Sequence, residues 1–163
     1  MGTHYSVLLQ ETLSYLNIKK DGIYADLTLG RGGTSSEILK RIPEGHLYAF
    51  DRDQEAIDDS IERLKAIGTN FTIIHDNFAS FKDDLLERGV PKLDGIVADL
   101  GVSSPQFDEG ERGFSYKVDA PLDMRMDLRS QKSAKSIVNT YSFEDLARIF
   151  RLYGEDPDSA KVA

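Results

Sequence analysis

The chain has 163 residues, enough for one domain with a core, and its 40% hydrophobic and 29% charged residues are an ordinary soluble composition. It contains no cysteine, which excludes disulfides, thiolate metal sites and a cysteine nucleophile and accords with a reducing, cytoplasmic setting. The formal net charge of −8 has the wrong sign for a phosphate-binding surface, no apolar run approaches about 18 residues, and the first residues do not read as a secretory signal, so no membrane association is expected.

Residues 7–16 carry apolar side chains at 7, 8, 9, 13 and 16 and read as an amphipathic helix. Residues 23–29 read as a strand, followed by a glycine-rich turn and a helix over 34–42. A second strand (46–51) leads into a helix over 54–67, whose apolar residues Ala56, Ile57, Ile61, Leu64 and Ile67 keep helical spacing. A third strand (70–75), a third helix (78–87) and a buried fourth strand (93–99) follow. Four alternations of strand and helix predict an α/β fold with a parallel, doubly wound sheet. Residues 105–130, rich in Asp, Gly, Pro and Arg, read as a loop. Helices are expected over 133–140 and 143–153, Gly154 as a stop, and 159–163 as the opening of another helix.

Two strands end in an acid and a turn of small residues. The first gives Asp26-Leu27-Thr28-Leu29-Gly30-Arg31-Gly32-Gly33, the second Asp99-Leu100-Gly101-Val102-Ser103-Ser104-Pro105-Gln106. In open α/β sheets ligands bind outside the carboxyl ends of the strands. Gly30, Gly32 and Gly33 let backbone approach a ligand, and Asp51, 21 residues after Gly30, is placed to accept hydrogen bonds from ribose hydroxyls. A Gly-rich turn and a surface acid are the plainer readings of the same residues. The third glycine of the dinucleotide fingerprint G-x-G-x-x-G is absent, and Asp26 favours a ligand with positive charge. S-adenosylmethionine therefore fits better than NAD, which leaves a nicotinamide-binding oxidoreductase half as the weaker alternative.

Asp99 is the candidate catalytic residue. A carboxylate accepting the N–H groups of an exocyclic base amine would localise its lone pair and take up the proton; a base in a duplex must be unstacked to reach it. Asp99 could instead cap its own turn. Phe78, just past the third strand, is placed to lie against an adenine ring or to join the core. Gln106 is a candidate contact to cofactor or substrate. Arg112, Phe114 and Tyr116 could bind phosphate and stack on a base, or pin their loop. His4, His46 and His75 lack metal-ligand spacing, so no metal is expected.

These segments, with His4-Tyr5-Ser6-Val7-Leu8-Leu9-Gln10-Glu11, Asp51-Arg52-Asp53, Glu111-Arg112-Gly113-Phe114-Ser115-Tyr116 and Ala120-Pro121-Leu122-Asp123-Met124-Arg125-Met126-Asp127, resemble the bacterial 16S rRNA (cytosine-N4)-methyltransferases, the RsmH/MraW family, in order from residue 4 to about 156. The resemblance implies a Rossmann-like class I methyltransferase fold, S-adenosylmethionine as cofactor, and N4-methylation of a decoding-centre cytidine in the 16S rRNA of the small ribosomal subunit. It implies cofactor contacts at Gly32, Gly33, Thr34, Asp51, Phe78, Asp99 and Gln106. Thr34 stands where the family has histidine; a backbone contact survives that change and an imidazole contact does not. The family's members are about twice as long, with a helical insertion after the Asp99 strand. The chain is thus expected to be an N-terminal part, with a cofactor-binding domain over 1–104 and the start of a helical insertion domain over 105–163. Such a part is expected to keep much of the cofactor site and to lack turnover alone, a non-catalytic cofactor-binding fragment. A bare sheet edge could pair with a second copy to give a homodimer.

Overall fold

The computed structural model describes residues 8–163, so His4 to Val7 of the resembling segment lie outside the described residues. The chain divides into two compact units, residues 1–101 and residues 102–163.

In the first unit, α1 (Leu9–Leu16), β1 (Ile23–Asp26), α2 (Gly33–Leu39), β2 (His46–Asp51), α3 (Gln54–Lys65), β3 (Phe71–His75), α4 (Phe81–Glu87) and β4 (Gly95–Val97) alternate along the chain. The strands form one parallel sheet in the order β3-β2-β1-β4. Strand side chains alternate between faces, so each strand feeds two cores. Tyr24, Leu47 and Ala49 pack with Leu13 of α1, Ile38 and Leu39 of α2 and Ile57 and Leu64 of α3. Ala25, Phe50 and Ile74 pack with Leu85 of α4. Helices on both faces make the sheet doubly wound, as the alternation predicts. Ile38, Ile42, Leu47 and Leu64 are fully buried, each worth about 2 kcal/mol in apolar burial.

Local signals set the ends of the elements. Asp53 precedes α3 and accepts the Glu55 N–H, an N-cap. Asn70 donates its side-chain amide to the carbonyls of Ile42 and Gly45, tying the entry of β3 to the turn before β2. The first strand is formally shorter than the expected 23–29, yet its pairing runs on: Leu27 N–H donates to the Val97 carbonyl and Leu29 N–H to the Phe50 carbonyl.

Two expectations for this unit need correction. Helix 78–87 begins as a separate 3-10 turn, Phe78–Ser80, because Asn77 caps it by accepting the Ala79 N–H. The fourth strand is short and half-exposed rather than buried over 93–99. Ile96 pairs with Ala25 and so faces the side of the sheet that α4 covers; lying on the edge strand, it remains 45% exposed.

The second unit holds α5 (Ser104–Asp108), a 3-10 turn Gly110–Arg112, α6 (Ala134–Thr140), α7 (Phe143–Leu152) and α8 (Ser159–Val162). The expected 105–130 loop therefore contains a short helix. Gln106, buried at its third position, accepts the Ser103 N–H at 3.0 Å, and Pro105 suits the first turn. The remaining loop is held by paired charges. Arg125 forks onto Asp123 (Nε to Oδ1 and Nη2 to Oδ2, both 2.8 Å), and Arg129 forks onto Asp127 in the same way at 2.9 and 2.8 Å. Backbone carbonyls of Asp123 and Leu122 then accept the first N–H groups of α6, from Ala134 and Lys135. The Pro-Leu-Asp-Met-Arg-Met-Asp segment thus has a structural use: it is a loop stapled by bidentate ion pairs that caps a helix. Among the described residues, no helix is long and apolar enough to cross a membrane.

Candidate cofactor site at the carboxyl edge of the sheet

Because the four strands are parallel, their carboxyl ends share one edge. Asp26 closes β1, in register with Ala49 and Val97. Asp51, two residues beyond Ala49, closes β2 in register with His75. Phe78 follows β3, and Asp99 lies two residues past the end of β4. Neighbouring strands are about 4.8 Å apart, so the order β3-β2-β1-β4 sets Phe78, Asp51, Asp26 and Asp99 out along this edge in that sequence. The chain turns back from β3 to the far side of β1 to make β4. The sheet's topological switch point therefore falls at β1, where such folds place ligands.

Asp51 organises the glycine turn. Its Oδ2 accepts the Gly30 N–H at 2.8 Å and its Oδ1 the Asp53 N–H at 2.9 Å. Each carboxylate oxygen retains a second acceptor direction, so the role as a turn acid leaves acceptor capacity for a further donor. Gly32 is buried in a left-handed conformation (φ 73°), and a side chain there would meet Cβ of Ser60 at 3.1 Å. Gly33 opens α2, and Thr34 is its half-buried second residue.

Asp26 is 1% exposed. Its carboxylate accepts the Ser35 hydroxyl at 2.7 Å and the Thr28 N–H at 3.1 Å. Burial pushes its carboxyl above the usual 3.8, with the Asp51 charge adding to the effect and the Ser35 and Thr28 donors opposing it. A cationic centre of a ligand above the turn is the partner that would offset this burial.

Phe78 is 39% exposed, so its ring is not core, although a phenylalanine opening a helix usually is. Asp99 is exposed, and its backbone N–H donates to Thr28 Oγ1 at 2.7 Å. Among the described residues no donor bonds to its carboxylate, so the side chain does not cap its own turn. Thr28 and Ser35 were not legible as site residues. The only signal was their position inside the turn that follows Asp26.

The remaining candidates belong to the second unit. Gln106 is buried and caps α5. Arg112 is largely buried; it donates to the Arg125 carbonyl at 3.1 Å and lies 5.8 Å from the Phe114 ring centroid. Tyr116 is 97% exposed. Arg112 thus pins the loop, as one of its two expected readings had it, whereas Tyr116 is free to stack on a ligand. Among the described residues, no group of three or more His, Cys, Asp or Glu is placed to hold a metal ion.

The profile of the MraW methylase family matches residues 1–163. Ribosomal RNA small subunit methyltransferase H of Exiguobacterium sibiricum is 53% identical over 163 residues, covering 100% of this chain and 52% of that protein. The protein of the same name from Streptococcus equi subsp. equi is 55% identical, covering 98% of this chain and 52% of its own length. The chain spans about half the length of these curated relatives. A Streptococcus mutans protein solved in complex with SAH superposes with a TM-score of 0.49 at 21% identity, over 62% of this chain and 56% of that one.

Proposed function

Because the chain belongs to the MraW methylase family, we propose that it forms the cofactor-binding part of a Rossmann-like, S-adenosylmethionine-dependent enzyme that methylates N4 of a cytidine in the 16S rRNA of the small ribosomal subunit. The observation that carries this reading is the row of Phe78, Asp51, Asp26 and Asp99 along the carboxyl edge of one parallel sheet. An rRNA substrate makes the cytoplasm the place of work. The curated relatives of the same name support the substrate class.

The residues present fit the cofactor. Asp51 has acceptor capacity for two ribose hydroxyls, the turn at Gly30, Gly32, Gly33 and Thr34 brings backbone close, and the exposed Phe78 ring offers a face to adenine. Asp26 lies beneath as a buried carboxylate suited to a cationic neighbour. When bound, S-adenosylmethionine supplies an electrophilic methyl group.

Asp99 acts on the acceptor. The N4 lone pair of cytosine is delocalised into the ring, so the amine is a poor nucleophile. An exposed carboxylate accepting its N–H hydrogen bonds returns electron density to nitrogen and receives the proton that leaves as the N–C bond forms. Tyr116 and Phe114 offer faces for base stacking, and Arg112, 5.8 Å from the Phe114 ring centroid, holds their loop. The outer edge of β4 is where a second copy would pair to form a homodimer, which light scattering reads directly.

Calorimetric titration with S-adenosylmethionine, with NAD as control, tests the cofactor. Transfer of labelled methyl to isolated small subunits tests the reaction. Saturable binding of S-adenosylmethionine alone is expected, and in the full-length enzyme Asp99→Ala should lower turnover about 100-fold. Binding of NAD instead, or unchanged turnover in Asp99→Ala, overturns the assignment.

A further inference from the structure

Thr28 joins the two halves of the site within the first unit. Its N–H donates to Asp26 Oδ1 at 3.1 Å, and its Oγ1 accepts the backbone N–H of Asp99 at 2.7 Å. Asp26 is in turn held by Ser35 of α2, the helix that follows the glycine turn. A continuous chain of contacts therefore runs from α2 through Asp26 and Thr28 to Asp99, two residues past the end of β4. Beyond Val97 the chain has left the β4 strand, and Ala98, Asp99, Leu100 and Gly101 are all exposed. An exposed segment has few contacts to fix it, so one short bond at its start has a large share in setting where it points.

We propose that Thr28 is a positioning residue for the methyl-transfer reaction: held through its backbone N–H by Asp26, it presents a side-chain oxygen that sets the position of the Asp99 backbone and so aims the Asp99 carboxylate at the acceptor amine. Threonine suits the task. Branching at Cβ restricts χ1 and so limits where the oxygen can stand. The glycine turn and the reacting carboxylate thereby share one support, which fixes the two sides of the reaction relative to each other.

The proposal rests on the reaction assigned above, and two variants of the full chain separate the two claims. Thr28→Val removes the oxygen at nearly constant shape, and Thr28→Ser restores it. By amide hydrogen exchange, Asp99 N–H should be protected in the wild type and in Thr28→Ser, and exchange about tenfold faster in Thr28→Val, the loss expected for one hydrogen bond. In methyl transfer to small subunits by the full-length enzyme, Thr28→Val should lower kcat by about tenfold or more with the KM for S-adenosylmethionine unchanged, and Thr28→Ser should recover it. Unaltered Asp99 exchange in a Thr28→Val protein that melts like the wild type overturns the tether. A rise in KM without a fall in kcat, or equal loss in the serine variant, overturns the positioning role. A full-length enzyme that binds S-adenosylmethionine without transferring methyl defeats the reaction assignment itself, and the exchange measurement still decides the tether.

Discussion

Replacing Gly32 by alanine adds one carbon at a place where backbone and packing both resist it. Gly32 has φ 73° and ψ 19°, the left-handed region, which costs an ordinary L-residue about 1–2 kcal/mol. The new Cβ would stand 3.1 Å from Cβ of Ser60, well inside the roughly 3.5–4.0 Å of relaxed carbon contacts. Ser60 has no room to give: it is fully buried in the middle of α3, and its hydroxyl donates to the Ile57 carbonyl at 3.0 Å. Overpacking of this kind adds about 1–3 kcal/mol. The total is about 3 kcal/mol, or roughly 15 °C in the midpoint of a unit of this size. Gly89→Ala is the control, since Gly89 has φ 74° but nothing within 4 Å of its would-be Cβ; it should lose only the conformational part. Urea unfolding of both variants by circular dichroism gives the difference. Equal destabilisation of the two would refute the Ser60 contact as the reason for glycine at position 32.

The remaining predictions concern charge and the second unit. Burial raises the Asp26 carboxyl above 3.8, so between that pH and its native value the folded chain holds a proton that the unfolded chain has lost. Its contribution is full below 3.8 and is lost as pH rises through the native value, at up to about 1.4 kcal/mol per pH unit. Asp94 and Asp123, lowered by their hydrogen bonds, contribute in the opposite sense. The readout is therefore the stability difference between Asp26→Asn and wild type, which should shift in favour of the variant as pH rises through this window; parallel curves would remove the burial effect. In the second unit, Arg112→Ala should cost about 2 kcal/mol through loss of its charged donors to backbone carbonyls and should speed hydrogen exchange over residues 121–130. Tyr116→Ala should leave stability unchanged while weakening binding to single-stranded RNA, measured by anisotropy. The reverse pattern would exchange the two roles.

The first hundred residues were largely legible because local rules and global fold agree there. Apolar runs of strand length bounded by Gly and Asp, alternating with 3.6-residue periodicity, admit few arrangements other than a parallel sheet with helices on both faces. The acids at 26, 51 and 99 were visible for the same reason: each stands where a strand period stops. The loop over 121–130 was recognisable only by resemblance, since Asp-x-Arg forks leave no periodic signature. The helix at Ser104 was hidden by its shortness, although Ser103, Pro105 and Gln106 are a starting signal.

The sequence by itself thus determined which elements form and which acids end the strands, because hydrophobic period and turn chemistry act over neighbouring residues. Tertiary structure alone decided what each polar group does. Asp26 became a buried anchor, Asp51 a clamp on Gly30 and Asp53, Gln106 a helix cap, and Thr28 the link to Asp99, whose amide it holds from 71 residues away. Those roles depend on strands being laid side by side, and a donor and acceptor separated along the chain carry no local trace of the bond they will make.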